Sequence, residues 1–349
     1  MASLTEVSIA TRKIIRYSIY FVIFIIIGRI LFKAGKNIFL KIFPPALPPA
    51  TVSFGKLPTL PFPEVEKVAN ISLILETADG SLPILPTQAK VFFMPKQSSH
   101  LLSLDIAKQK AQALGFLPEG EAVSDTLYKF ISRNSFAILQ IDIVTGTFSI
   151  SYNLKADPSP IEKKPQSPEI LAAFVRSHLS SSNLLPEDLT GPTQNEFLKI
   201  EGENVVKALS LSDSNFVKVN LFRKNYENLP TLTSEPKKSN VWFMLSGSQE
   251  PERKIIAAQY HYFPVDESQN ATYPLKTSQE AWSSLLSGNA FIASYGENDE
   301  GASVTIRRIY LAYYDPGKPI EFFQPIIVFE GDKNFFAYVP AVTQDYYGE

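Results

Sequence analysis

The chain contains no cysteine, which excludes disulfide bonds and agrees with an exposed compartment in which the fold does not rely on them. Its three histidines, His100, His178 and His261, show neither H-x-x-x-H nor H-E-x-x-H spacing, so a zinc site is not predicted. There is no Gly-rich phosphate-binding loop, and the S-G-S sequence at 246–248 lacks the flanking residues of a nucleophile elbow. These absences predict a protein that is not an enzyme and carries no cofactor or metal.

One stretch is too apolar to lie in water, residues 14–32, IIRYSIYFVIFIIIGRILF. Its charge-free part covers only about 18 Å, short of a hydrocarbon core of about 30 Å. The whole stretch reaches about 28 Å if Arg16 and Arg29 extend their guanidinium groups to the lipid headgroups. The pattern therefore predicts a single transmembrane helix over 14–43, with an interfacial extension that begins at Lys33.

A cleaved signal peptide and a buried core helix are the alternatives to this span. The first needs a small-residue cleavage site, but lysines and then prolines follow, and the second would bury two arginines. Basic residues lie on both sides of the span, so the positive-inside rule gives no orientation. We expect residues 1–13 to be a short cytoplasmic tail, because long domains translocate largely regardless of charge. The predicted location is the cytoplasmic membrane, single-pass, with the bulk of the chain extracytoplasmic.

The composition changes sharply after the span. Residues 44–63 contain seven prolines, which favours an extended polyproline II stalk. Beyond residue 43 the chain carries 26 basic and 34 acidic residues, so it offers no positive footprint for nucleic acid. The membrane is therefore predicted as a partner and nucleic acid is not.

Beyond the stalk, short strand patterns alternate with single helices. This predicts an α+β fold of tandem modules, each an antiparallel sheet with one packed helix. The helix exits ALGFLPE (113–119) and SNLLPE (182–187) resemble each other and each precedes a strand, which indicates a divergent duplication. The predicted boundaries are 64–155 for the first module, 156–168 for a linker, 169–240 for a second, repeat-like unit, and 241–349 for the C-terminal module.

Three helix starts carry capping residues. Ser103 precedes the first helix, and Ser167 with Pro168 opens the second. Thr277 and Glu280 have the spacing of a capping box at the start of the third. A helix laid across each sheet buries one face and leaves the other face for a partner or a second sheet.

Tyrosines concentrate in the C-terminal module. Strand alternation sends Tyr260 and Tyr262 to one face and Tyr313 and Tyr314 to opposite faces, so some of them are expected on the side that no helix covers. Because tyrosine is enriched at interfaces, Tyr260, Tyr262 and Tyr313 are predicted to bind a partner. Simple core packing is the alternative. Arg16, Arg29 and Lys33 are predicted to flank the membrane anchor.

The tract YPLKTSQEAWSSLLSGNAFI, together with RIYLAYYDPGKPIEFFQPIIVFEG and FFAYVPAV, carries a resemblance over residues 254–345. A helix followed by hairpin strands, repeated outside one N-terminal span, resembles the PepSY-type modules of bacterial envelope proteins. The C-terminal part is similar to the YycH/YycI-like membrane-anchored regulators. The resemblance implies a non-enzymatic extracytoplasmic regulator that contacts a sensor kinase through its span and its outer domains.

Two functional classes follow from these patterns. The first is a regulatory binding protein that engages an envelope protein or peptide. The second is a structural scaffold of a division or secretion complex, resembling POTRA-type modules, in which the span and stalk only position an assembly surface.

Overall fold

The computed structural model describes residues 4–42, 48–64, 71–97 and 103–348, which divide into two units, Met1–Pro49 and Ala50–Glu349. It confirms the α+β class, with one apolar N-terminal helix and several antiparallel sheets. The helices are α1 Leu4–Ile42, α2 Ser103–Ala113, α3 Pro168–Ser181, α4 Pro251–Lys254 and α5 Ser278–Leu286.

The first unit is the single helix α1, which spans 39 residues. It continues without a break through Gly28, the residue type that most weakens a helix interior after proline. The segment Ile15–Lys36 is long enough and apolar enough to cross a membrane, and none of it is buried in the protein. Its 22 residues rise about 33 Å, which matches a hydrocarbon core of about 30 Å.

Among its described residues, the second unit contains eighteen strands in three sheets. The strands are β1 Ser72–Leu75, β2 Gln88–Phe93, β3 Glu121–Ala122, β4 Leu127–Ile131, β5 Ala137–Asp142, β6 Phe148–Tyr152, β7 Thr193–Glu201, β8 Asn204–Lys207, β9 Phe216–Leu221, β10 Thr231–Leu232, β11 Val241–Leu245, β12 Ile255–Tyr260, β13 Asp266–Pro274, β14 Phe291–Ser294, β15 Ser303–Tyr314, β16 Phe322–Phe323, β17 Pro325–Gly331 and β18 Phe335–Pro340.

The nine-stranded sheet has the order β3-β4-β5-β6-β12-β11-β9-β7-β8. Its first half is the antiparallel meander β3-β4-β5-β6. Its second half is also antiparallel, but β7 lies between β8 and β9, and the halves meet where β6 pairs with β12. A helix precedes each half, α2 before the first and α3 before the second, and both helices pack on the same face of the sheet. Leu139, Ile150 and Phe243 meet Val175 and Ala111 in that core. The two halves thus share a helix followed by antiparallel strands and differ in strand order.

The six-stranded sheet has the order β1-β15-β17-β18-β14, with β10 also paired to β15. Helix α5 and the three-stranded sheet β13-β2-β16 cover one of its faces, where Val91, Tyr273 and Leu285 join Ile327 and Phe329 in a core. The capping box of α5 is present, with the Thr277 side chain accepting from the Glu280 amide. The spacing of Thr277 and Glu280 in the sequence therefore predicted the start of α5 correctly.

Strand pairing differs from the modules that the sequence predicts. Strands β1 and β2, assigned to the first module, pair with β15 and β13 of the C-terminal module. Strands β9 and β11 pair across the predicted boundary at residue 241. Alternation and turn signals locate strands, but they carry no information about which distant strands exchange hydrogen bonds.

The predicted stalk is in part a component of the folded unit. Leu57 is fully buried and bridges to Tyr347 near the end of the chain, and the Leu60 amide donates to the Tyr347 hydroxyl at 2.8 Å. The segment is not a continuous polyproline II helix, because the chain turns at Val52–Gly55, where both residues have a positive φ. The apolar residues between the prolines give it a surface to pack with. Residues 51–62 therefore contact the second unit instead of forming a free stalk, and residues 44–47 lie outside the described ranges.

Candidate functional site

The three tyrosines predicted to bind a partner make contacts inside the protein. Tyr260 is 5% exposed, stacks on Phe148 at 4.8 Å and donates to the Leu184 carbonyl at 2.9 Å. Tyr313 is fully buried and donates to the Lys90 carbonyl at 2.8 Å. Their burial removes the geometric basis of the predicted tyrosine face. Alternation assigned them to faces correctly, but helix α3 covers the face of Tyr260.

The third tyrosine, Tyr262, belongs to a buried polar cluster centred on Arg223. The Arg223 side chain is 3% exposed and bonds Asp315 through Nε at 2.6 Å, Asp188 through Nη1, and the Phe263 carbonyl through Nη2 at 2.7 Å. The hydroxyl of Tyr262 donates to Asp188 at 2.9 Å, and its ring lies 4.6 Å from the guanidinium carbon.

The electrostatics of this cluster depend on the two carboxylates. Burial alone would lower the pKa of Arg223, but Asp315 and Asp188 outweigh it and raise that pKa well above its usual value. Burial and the charge of Asp188 raise the pKa of Tyr262, so its hydroxyl remains a donor. Arg223 follows β9, Asp315 follows β15, and Asp188 lies between α3 and β7. The cluster therefore ties the nine-stranded and six-stranded sheets together, and we regard it as structural.

The face of the nine-stranded sheet opposite α2 and α3, which we call the open face, is the best candidate for recognition. Leu154 and Ile161 pack against Phe216 and Ile256 on one part of it, and among the described residues the rest carries no helix. The cross-strand register aligns a polar row on it, in which Gln140 pairs with Ser149, Ser149 with Gln259, and Gln259 with Trp242. All four side chains are half-buried. We call these four residues the polar row. A neighbouring row, Ile138, Ser151, Ala257 and Met244, is mainly apolar.

Hydrogen bonds hold the polar row in place. The Trp242 indole donates to Gln259 Oε1 at 3.0 Å, and Gln259 Nε2 lies 2.9 Å from His261 Nδ1. Lys218 places its ammonium 4.2 Å from the Trp242 ring centroid, and Glu196 lies 3.8 Å from that ammonium. Such contacts fix the orientation of the tryptophan before any partner arrives, which lowers the entropic cost of binding.

Burial adjusts the charges beside this row. It lowers the pKa of His261, which is therefore neutral at pH 7, and it lowers the pKa of Lys218, with Glu196 opposing the shift. The row offers two amides, one hydroxyl and one aromatic ring. It supplies hydrogen bonds and stacking, which suit recognition of an extended polar chain.

A cleft of about 580 Å³ lies elsewhere, beside the edge strand β14. Among the described residues its lining is mainly apolar, with side chains such as Phe62, Phe291 and Tyr347, and it includes the carboxylate of Glu64. Within the described part of the chain, no group of three or more His, Asp or Glu residues is arranged to hold a metal ion. His178 and His261 lie on separate elements, and His100 is outside the described ranges.

The candidate membrane segment contains all three residues that are predicted to flank the anchor. Arg16 and Lys33 are close to the two ends of the apolar segment Ile15–Lys36, and Arg29 is inside it, seven residues before its end. All three side chains are exposed on α1. Sequence reasoning missed the polar row, although V-W-F-M-L at 241–245 carries its signal, because Trp242 alternates with core residues.

No protein-family model matches this chain, and no curated protein matches it. Among solved structures, the chain is similar to an uncharacterized protein from Eubacterium rectale, with a TM-score of 0.34, 11% identity, and coverage of 81% of this chain and 91% of that one. It is also similar to the Bacillus megaterium YpeB C-terminal domain, with a TM-score of 0.34, 11% identity, and coverage of 71% and 95%. At these scores neither similarity establishes a shared fold or a shared function.

Proposed function

We propose that this protein is a membrane-anchored, extracytoplasmic binding protein, not an enzyme, that engages a protein or peptide partner on the open face of its nine-stranded sheet. A regulatory role in an envelope signalling system, with a sensor kinase as one such partner, follows from the resemblance to the YycH/YycI-like regulators.

The observation that carries the proposal is the exposure of the apolar segment of α1. Its large side chains, from Ile15 to Phe32, are between 46% and 76% exposed, although the segment is long enough to cross a bilayer. Water would penalise that surface by about 25 cal/mol for each Å². A lipid core removes the penalty, and it also suits a helix that satisfies its own backbone hydrogen bonds.

The binding role is supported by the form of the open face. A half-buried tryptophan held by Gln259 and Lys218, in a row with two amides and one hydroxyl, has the composition of an interface centre. The apolar neighbours Ile138 and Met244 would lose water when an extended partner lies across the strands.

Fractionation of cells tests the anchor. The full chain should remain in the membrane pellet after alkaline carbonate washing, and Ile23→Asp should release a substantial fraction, because a carboxylate near the bilayer centre costs about 2.5 to 3.5 kcal/mol. Lys33→Asp, at the end of the segment, is the matched control and should stay in the pellet. Protease digestion of intact spheroplasts should cut residues 50–349. A soluble intact chain would overturn the proposal.

Photo-crosslinking tests the binding face. A photoreactive residue at Ser151, exposed on the open face, should form adducts with an envelope protein, and Trp242→Ala should reduce them. The same residue at Ser180, exposed on α3, is the control. Equal adducts from both positions would contradict recognition by the open face.

The scaffold alternative shares the anchor and the exposed surface. An unrelated apolar helix in place of residues 14–32 separates the two, because a scaffold should tolerate the exchange and a regulator that signals through its span should lose activity. Adducts with division or secretion components would favour the scaffold.

A further inference from the structure

The edge strand β8 closes one side of the nine-stranded sheet, and among the described residues it pairs only with β7. Two apolar side chains lie on or just beyond it, Val205 at 47% exposure and Leu209 at 99%. Proteins usually protect such an edge, because its unpaired backbone groups template the addition of another strand.

The hairpin geometry shows which backbone groups of β8 are free. The Ala208 amide donates to the Phe197 carbonyl at 2.8 Å, so residues 208, 206 and 204 direct their amide and carbonyl groups toward β7. Residues 205 and 207 therefore direct theirs outward, and Glu203 lies in the turn just before the strand. Any strand added to this edge forms its hydrogen bonds with Val205 and Lys207.

The spacing of these residues makes the strand complementary to itself. If β8 pairs antiparallel with a second copy so that Val205 faces Val205, then Glu203 faces Lys207 on both sides of the two-fold axis. This register uses both outward strand residues, and it brings Glu203 of each turn opposite Lys207 of the other copy, which forms two opposite-charge contacts. Shifting it by two residues in either direction breaks both charge pairs.

We infer that β8 is a homotypic contact, through which two copies of this chain join their nine-stranded sheets edge to edge. Glu203 already has one partner, Lys155 at 3.2 Å, but both side chains of that pair are 84% exposed. Exposed pairs of this kind contribute little, so Glu203 exchanges Lys155 for the lysine of the other copy at small cost.

The contact is weak, and the membrane makes it effective. Two four-residue strands bury far less than the roughly 1,200 to 2,000 Å² of a standard interface. Copies confined to one bilayer by α1 meet at a raised effective concentration, which offsets low affinity. The dimer does not require a partner on the open face. An experiment that finds no dimer would therefore leave the proposed function intact.

The absence of cysteine gives a clean test in the full chain. Val205→Cys, in membranes under mild oxidation, should form a disulfide dimer, because opposed residues of a hydrogen-bonded pair lie about 5.5 Å apart at Cα. Val123→Cys, near the opposite edge and 52% exposed, is the matched control and should stay monomeric. Mixing Asn204→Cys with Val206→Cys chains tests the same register at the adjacent pair, should Val205→Cys protein fold poorly.

Charge reversal separates the contact from adventitious collision. Glu203→Lys or Lys207→Glu, each in the Val205→Cys background, should lower the dimer yield at least about fivefold, because two attractive pairs become repulsive together. The double reversal should restore the yield. Equal yields from residues 205 and 123, or no restoration, would overturn the inference. A higher dimer yield from Lys207→Thr would also overturn the inference. It would show that Lys207 prevents strand addition at this edge instead of pairing with Glu203.

Discussion

The buried cluster around Arg223 leads to a prediction about the free energy of unfolding. A similar but exposed cluster on the same protein provides the comparison. Arg223→Met removes the guanidinium and leaves Asp188 and Asp315 in the interior, where they are 7% and 5% exposed. Removing one partner of a buried ion pair costs about 3 to 5 kcal/mol, mostly as the penalty of the charge left behind. We expect a loss of that size in the free energy of unfolding.

The chain supplies a matched control. Arg307 also bonds two carboxylates, Glu76 at 2.9 Å and Asp332 at 2.9 Å, but its side chain is 45% exposed. Solvent screens that arrangement, and exposed pairs are worth about 0 to 1 kcal/mol. Arg307→Met therefore keeps the chemistry of the substitution and the number of carboxylates, and the main difference is the burial, together with the Phe263 carbonyl that Arg223 also bonds.

Urea unfolding measures both variants by tryptophan fluorescence. The two tryptophans, Trp242 and Trp282, are both in the second unit, so the signal reports on that unit even when the full chain is in detergent. At a slope of about 3 kcal/mol/M, Arg223→Met should lower the midpoint by about 1 to 1.7 M, and Arg307→Met by less than about 0.3 M. Equal shifts would refute the claim that burial decides the value of these pairs.

Two further predictions concern local chemistry. Tyr152 donates to Asp157 at 2.6 Å; burial and then this bond raise the pKa of Tyr152 to about 12, and the bond lowers the pKa of Asp157 to about 2. The stability from the tyrosine is present below its ordinary pKa near 10 and is lost as the pH rises toward 12, while that from the aspartate is lost as the pH falls toward 2. In urea midpoints measured across pH, Tyr152→Phe should flatten both flanks, and unchanged flanks would contradict it. Thr277→Ala should cost about 1 kcal/mol by removing the cap of α5, and an unchanged midpoint would show that tertiary packing alone holds this helix start.

Sequence patterns predicted best the features whose causes are local. The start of α3 at Pro168 and the capping box of α5 depend on residues within one helical turn, and both are where the sequence places them. The apolar part of α1 is equally local, since composition over about twenty residues decides whether a helix suits a bilayer. The proline segment shows the limit, because proline restricts its own backbone but does not decide whether Leu57 finds a core.

The tyrosines and the polar row show why the candidate site resisted prediction. Alternation correctly separates Tyr260 from Gln259, but it does not say which of the two faces receives α3, and that choice reverses which residue meets solvent. The polar row requires β5, β6, β12 and β11 to pair in one register, although they come from both halves of the sheet. A site made by the register of distant strands leaves no local motif, whereas Trp242 between two core residues marks an aromatic on the opposite face that could have been found. For a binding face on a sheet, the useful sequence signal is therefore an aromatic out of phase with the core.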